Sequence, residues 1–158
     1  YKTAADFAAA KPEELEQEIR QTGFFRMKAK NIIAAAKKIV ADFNGEVPDT
    51  MAELLTLPGV ARKTANIVLS SAFKKAEGIA VDVHVARLAG RMGLSSQKNP
   101  EKIEQDLMSC VPRKDWIAFN YMMVDHGRNI CTARKPKCSA CVVRSLCPSA
   151  ESFGKPSS

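Results

Sequence analysis

The stretch Leu57-Pro58-Gly59-Val60-Ala61-Arg62-Lys63-Thr64-Ala65 decides how the rest of the chain is read. It lies between two runs of helical pattern, Thr50 to Leu55 and Thr64 to Phe73. Pro58 presets one turn dihedral and Gly59 accepts a left-handed one, so the pair permits a sharp reversal. The first amides of the helix that follows lack partners within the helix and suit a phosphate oxygen. The stretch predicts a hairpin of two short helices with an anion site at its turn. A plain helical hairpin without a ligand satisfies the same pattern.

Outward from this hairpin, nearly everything reads as helix. Pro12 to Gln21 is acid-first and closed by Gly23, and Met27 to Phe43 places Ile32, Ile33, Ala36, Ile39 and Val40 on one stripe, with Asn44-Gly45 as its stop. Thr64 to Phe73 turns Ala65, Val68, Leu69 and Ala72 inward. Asp82 to Arg91, Pro100 to Ser109 (with Asn99 as N-cap) and Lys114 to His126 complete the set. No alternating strand pair stands out, so the expected class is all-α. The polar tail Ser149 to Ser158 is expected to fray.

With 158 residues, 46% hydrophobic and 26% charged, the composition is that of an ordinary globular domain, which excludes a disordered or fibrous chain. The most apolar run, Ile67 to Phe73, is far too short to span a membrane, so no membrane partner is expected. The chain starts at Tyr1 without a basic, apolar leader, which suggests a trimmed chain. The net charge of +7 is unevenly spread. Residues 58–98 hold seven basic and two acidic side chains; residues 127–147 hold five basic ones (Arg128, Arg134, Lys135, Lys137, Arg144) and no acid. Two basic islands point to two contacts on one polyanion; a solvated basic face without a partner is the plainer alternative.

Cys131, Cys138, Cys141 and Cys147 follow the spacing C-x6-C-x2-C-x5-C, with Cys110 apart as an expected small buried residue of its helix. Disulfides suit a secreted chain better than this one. Four thiolates at unequal spacings serve zinc and a [4Fe-4S] cube equally well. Closing the loop between the first two cysteines on a metal would fix Arg134, Lys135 and Lys137 in space, ready for phosphates.

Lys63 occupies the first turn of its helix, where the dipole disfavours a cation. A lysine partly desolvated there beside Arg62 would have a lowered pKa and could act as an amine nucleophile. Asp82, opening a helix after the apolar run Ile79-Ala80-Val81, reads first as an N-cap.

The combination of Leu57 to Asn66, Val81-Asp82-Val83-His84 and the four-cysteine spacing closely resembles the endonuclease III family, the iron-sulfur helix-hairpin-helix DNA glycosylases. The resemblance runs over almost the whole chain, including Gly23 to Ile32 and Asn44 to Pro48. It implies a two-lobed all-α fold, with a helical lobe over residues 1–75 and a cluster lobe over 76–158. It also implies a [4Fe-4S] cluster on Cys131, Cys138, Cys141 and Cys147. In this family a lysine at the Lys63 position attacks the sugar C1′ of a damaged nucleotide, and the Schiff base then promotes β-elimination. Asp82 matches the aspartate that stabilises cationic sugar character and helps activate the lysine, across a cleft between the two. The implied partner is double-stranded DNA with oxidised pyrimidines or abasic sites, met as a monomer in the bacterial cytoplasm after the nucleotide is flipped out. DNA contacts are expected at Leu57, Gly59, Ala61, Arg62 and Thr64, at Arg134, Lys135 and Lys137, and at Phe24, which aligns with a wedge that fills the gap. Core packing is the plainer role for Phe24.

Two features depart from the family pattern. Ala61 stands where a second glycine is usual and so must avoid positive φ. Several family helices, among them a glutamine-bearing loop that enters DNA, precede the point where this chain starts, so the helical lobe is expected to be incomplete. A competing expectation is a non-catalytic DNA-binding module that keeps hairpin and cluster as a scaffold.

Overall fold

The computed structural model describes residues 1–153. The last five positions of the tail expected to fray, 154–158, lie outside the described residues. Among the described residues there is no strand; regular structure is α-helix and single 3-10 turns. The chain packs as two compact units that divide between Ala65 and Asn66, inside α5 (Arg62–Ser71). The lobe boundary expected near residue 75 follows the end of that helix.

In the first unit α1 (Ala4–Ala8) and α2 (Pro12–Glu18) pack along α3 (Phe25–Asp42), with α4 (Met51–Leu54) following. Helix α1, which has no clear sequence pattern, is held by its cap. Thr3 Oγ1 accepts from the Asp6 amide at 3.2 Å, and the Asp6 carboxylate accepts from the Lys2 and Thr3 amides at 2.8 and 2.9 Å. Those amides, Lys2's foremost, hold the Asp6 carboxyl below its ordinary value. Leu15, Ala29 and Ile33 are buried at the centre, ringed by Phe7, Ala10, Ile19 and Ile32. The Asn44-Gly45 stop is in place: both residues have positive φ (52° and 82°), and the Gly45 amide reaches back to the Ile39 carbonyl at 3.0 Å.

The second unit is built on α6 (Val83–Arg91), α7 (Pro100–Cys110) and α8 (Trp116–Asn129). Its core gathers Ile79, Val81, Val85, Leu88, Ala89, Ile103, Leu107, Trp116 and Met123. Each large aliphatic side chain buried here stabilises by about 1.5–3 kcal/mol relative to exposure. Asn99 caps α7, accepting from the Glu101 and Lys102 amides, with Pro100 as the first helical residue.

Some expectations shift. The start foreseen at Lys114 is a 3-10 turn, Arg113–Asp115, and α8 proper begins at Trp116. Ala72 lies past the end of α5 and is exposed. Cys110 is exposed too, because it is the last residue of α7, where the stripe leaves the core. Residues Ala150–Phe153 form a short helix, α9, with Ala150 buried.

Candidate functional site

The hairpin is a tight turn from Leu57 to Val60, closed by the Val60 amide donating to the Leu57 carbonyl at 3.1 Å. Gly59 has φ of 77°, as the third position of a type II turn after proline requires. Space excludes a side chain there as well, since a Cβ would stand 2.7 Å from Asn31 Cβ. Ala61 keeps negative φ and its carbonyl accepts the first helical bond, from Ala65 at 3.0 Å, so the alanine carries no strain. The side chain of Leu57 is buried, and this residue offers only its backbone to a ligand.

Arg62 is half-buried, while Lys63 and Thr64 are exposed in the first turn of α5. The desolvation anticipated around Lys63 is therefore absent from the chain's own packing. Phe24 is 89% exposed and holds φ of 57° at the N-terminus of α3. Core packing is ruled out for it, and a bulky residue held left-handed and bare to solvent is unusual.

In the second unit Asp82 is half-buried and caps α6: Oδ1 accepts from the His84 and Val85 amides, both at 2.8 Å. Among the described residues Oδ2 has no hydrogen-bond partner, so the cap engages only one of the two carboxylate oxygens.

Cys131, Cys138, Cys141 and Cys147 line one pocket, part of it open to solvent, together with Arg91, His126 and Ile130. All four thiols are half-buried. Four thiols on one loop, gathered at one pocket, supply the donor set of a cube in which each iron takes its own cysteine.

The residues that hold this loop were missed in the sequence. Arg91 Nη1 donates to Cys131 Sγ at 3.3 Å and to the Thr132 carbonyl at 2.8 Å, Nη2 donates to the Ala133 carbonyl at 2.8 Å, and the guanidinium lies over the Phe153 ring at 4.4 Å. One turn earlier, Arg87 Nη2 donates to the Gly127 and Cys131 carbonyls at 2.8 and 2.9 Å. Their four-residue spacing on a helix was the available signal. Thr132 Oγ1 donates to the Lys135 carbonyl at 2.7 Å, so the loop is tied while Arg134, Lys135 and Lys137 stay exposed.

An all-helical chain with a proline-glycine hairpin, a lysine at the next helix start and four cysteines around one pocket has the layout of a helix-hairpin-helix protein with a cysteine-lined metal site. Residues 1–113 match the family described as HhH-GPD superfamily base excision DNA repair protein, and residues 131–147, first cysteine to fourth, match the iron-sulfur binding domain of endonuclease III. The chain belongs to the HhH-GPD superfamily of base excision DNA repair proteins. It is 52% identical over 151 residues to endonuclease III of Synechocystis sp., covering 96% of this chain and 69% of that relative. To the Bacillus subtilis endonuclease III it is 44% identical over 148 residues, covering 93% and 67%. A solved structure of a trapped endonuclease III-DNA covalent intermediate matches with TM-score 0.92 at 39% identity, over 98% of this chain and 73% of that one. A thermostable thymine-DNA glycosylase matches at TM-score 0.81 and 29% identity.

The cofactor is thus a [4Fe-4S] cluster, and the function is that of a DNA repair glycosylase; the non-catalytic module is not favoured. No helix among the described residues is long and apolar enough to cross a membrane.

Proposed function

We propose that the chain is a bifunctional DNA glycosylase and abasic-site lyase acting on double-stranded DNA that carries oxidised pyrimidines or abasic sites. The observation that carries this reading is Lys63, exposed in the first turn of α5 directly after the hairpin turn. Its unprotonated amine attacks C1′ of the flipped nucleotide. The bond to the base, or to the hydroxyl of an abasic sugar, breaks, and the base leaves with a proton. The substituted amine gives up its remaining proton and expels the ring oxygen O4′, which takes a proton; the Schiff base so formed acidifies the C2′ hydrogen, and loss of that proton expels the 3′ phosphate. The trapped covalent complex described for the endonuclease III neighbour supports a covalent route.

The role of Asp82 in this reading is to stabilise cationic character at C1′ through Oδ2 and to accept a proton from the lysine. The bound nucleotide supplies the desolvation that Lys63 lacks in the free chain. The hairpin amides from Gly59 to Thr64 hold a phosphate, Phe24 fills the space left by the flipped nucleotide, and Arg134, Lys135 and Lys137 grip the backbone. Cys131, Cys138, Cys141 and Cys147 hold the cluster, which when bound fixes the loop that carries those cations. The enzyme works where the bacterial chromosome lies, in the cytoplasm.

Borohydride reduction with an abasic duplex tests the assignment. The wild-type chain is expected to give a covalent protein-DNA adduct and Lys63→Ala none; undiminished trapping in that variant refutes Lys63 as the nucleophile.

A further inference from the structure

The most buried polar groups of the second unit form one contact. Asn66 and Glu104 are each 3% exposed, and Asn66 Nδ2 donates to Glu104 Oε1 at 2.8 Å. Asn66 lies on α5, one turn after Lys63, and Glu104 lies on α7. Gly78 closes over the pair: a Cβ there would stand 2.1 Å from Glu104 Oε1 and 2.7 Å from Asn66 Oδ1. Gly78 lacks positive φ, and a side chain there would have to push the Asn66 and Glu104 head groups aside. From Gly78 the chain runs through buried Ile79, Ala80 and Val81 into Asp82.

Stability alone does not account for this contact. Asn66 Oδ1 is buried without a hydrogen-bond partner among the described residues, an arrangement that weakens a fold. Apolar side chains of similar shape would fill the space at equal or better stability. What they would lose is direction, because apolar contact is indifferent to angle and a hydrogen bond is not. The contact joins α5, the helix that bears Lys63, to α7, with Gly78 packed against both side chains.

We propose that Asn66 and Glu104, locked by Gly78, are positioning residues that set the rotation of α5 and hence the direction in which Lys63 is presented. This rests on the lyase reading above. A lysine amine carried well outside the roughly 2.3 Å radius of the helix moves on the order of 1 Å for each 10° of helix rotation. A misplacement of that size slows chemistry about 100-fold while leaving ground-state binding in place.

The test measures the single-turnover rate of the borohydride-trapped adduct, duplex affinity and melting temperature, in the cluster-loaded full chain. Asn66→Leu with Glu104→Met keeps the space filled and removes the bond. It is expected to melt and bind like the wild type and to trap about 100-fold more slowly. Glu104→Gln keeps Oε1 as acceptor and is expected to trap within about threefold of wild type. Wild-type trapping by the folded double variant overturns the proposal, as does a Glu104→Gln variant as slow as the double one. If the double variant does not fold, Asn66→Ala carries the same comparison. A wild-type chain that forms no adduct refutes the lyase reading, and the positioning role falls with it.

Discussion

Replacing Arg91 by alanine probes how the cluster loop is held. The guanidinium makes three hydrogen bonds across Cys131 Sγ, Thr132 and Ala133, and stacks on Phe153. Arg91 is half-buried and the Ala133 end is open to water, so each bond is worth about 1 kcal/mol net, below the range for fully buried charged donors. The ring adds about 0.5 kcal/mol. A total of about 3 kcal/mol shifts the balance between closed and open loop by on the order of 100-fold. If iron is lost through the open form, Arg91→Ala loses iron to a chelator about 100-fold faster than wild type. Arg91→Lys falls between, since one ammonium cannot span a sulfur and two carbonyls. The assay follows iron per chain and visible absorbance after chelator addition. Iron loss at the wild-type rate in Arg91→Ala refutes the assignment of Arg91 as the clasp.

Two further outcomes follow from exposure. Phe24→Gly removes a side chain that buries little and relieves a left-handed φ, so the melting temperature is expected to hold or to rise by the equivalent of about 1 kcal/mol while lesion processing in duplex DNA falls; a clear loss of stability refutes the reading of Phe24 as an exposed wedge. Alanine at Arg134, Lys135 and Lys137 together is expected to flatten the dependence of log affinity on log salt by up to about 0.9 for every phosphate left without its cation, and an unchanged slope shows that these side chains do not touch DNA.

The parts legible in the sequence were those set by local chemistry. Pro58 and Gly59 announce a turn because few residues accept its dihedrals, and Asp82 and Asn99 announce helix starts because their side chains complete the cap. Cysteine spacing likewise needs no tertiary knowledge. What stayed hidden depends on partners distant along the chain. Arg87 and Arg91 look like surface cations of a helix until residues 127–133 are folded against them. Asn66 reads as part of the hairpin motif, and only Glu104, 38 positions away, gives it a partner. Cys110 carries the reverse lesson, since a residue type that is usually buried sits exposed where its helix ends.

Helix α6 draws these features into one device. Its first end is Asp82, whose Oδ1 is consumed by the cap, and its middle is packed through Val85, Leu88 and Ala89. Its far end grips the cluster loop through Arg87 and Arg91. Side by side with α8 it passes so closely that a Cβ at Gly127 would stand 2.9 Å from His84 Cβ. A nine-residue helix, about 13 Å long, held at that contact and along its core has little freedom to bend. Movement at the loop end must therefore shift the whole helix, and the carboxylate at its other end moves with it. Under the role proposed for Asp82, removing the cluster weakens catalysis by misplacing this carboxylate even if no electron ever passes through the iron. Protein stripped of iron is accordingly expected to lose adduct formation in parallel with the opening of residues 131–147, and to regain it as the loop recloses.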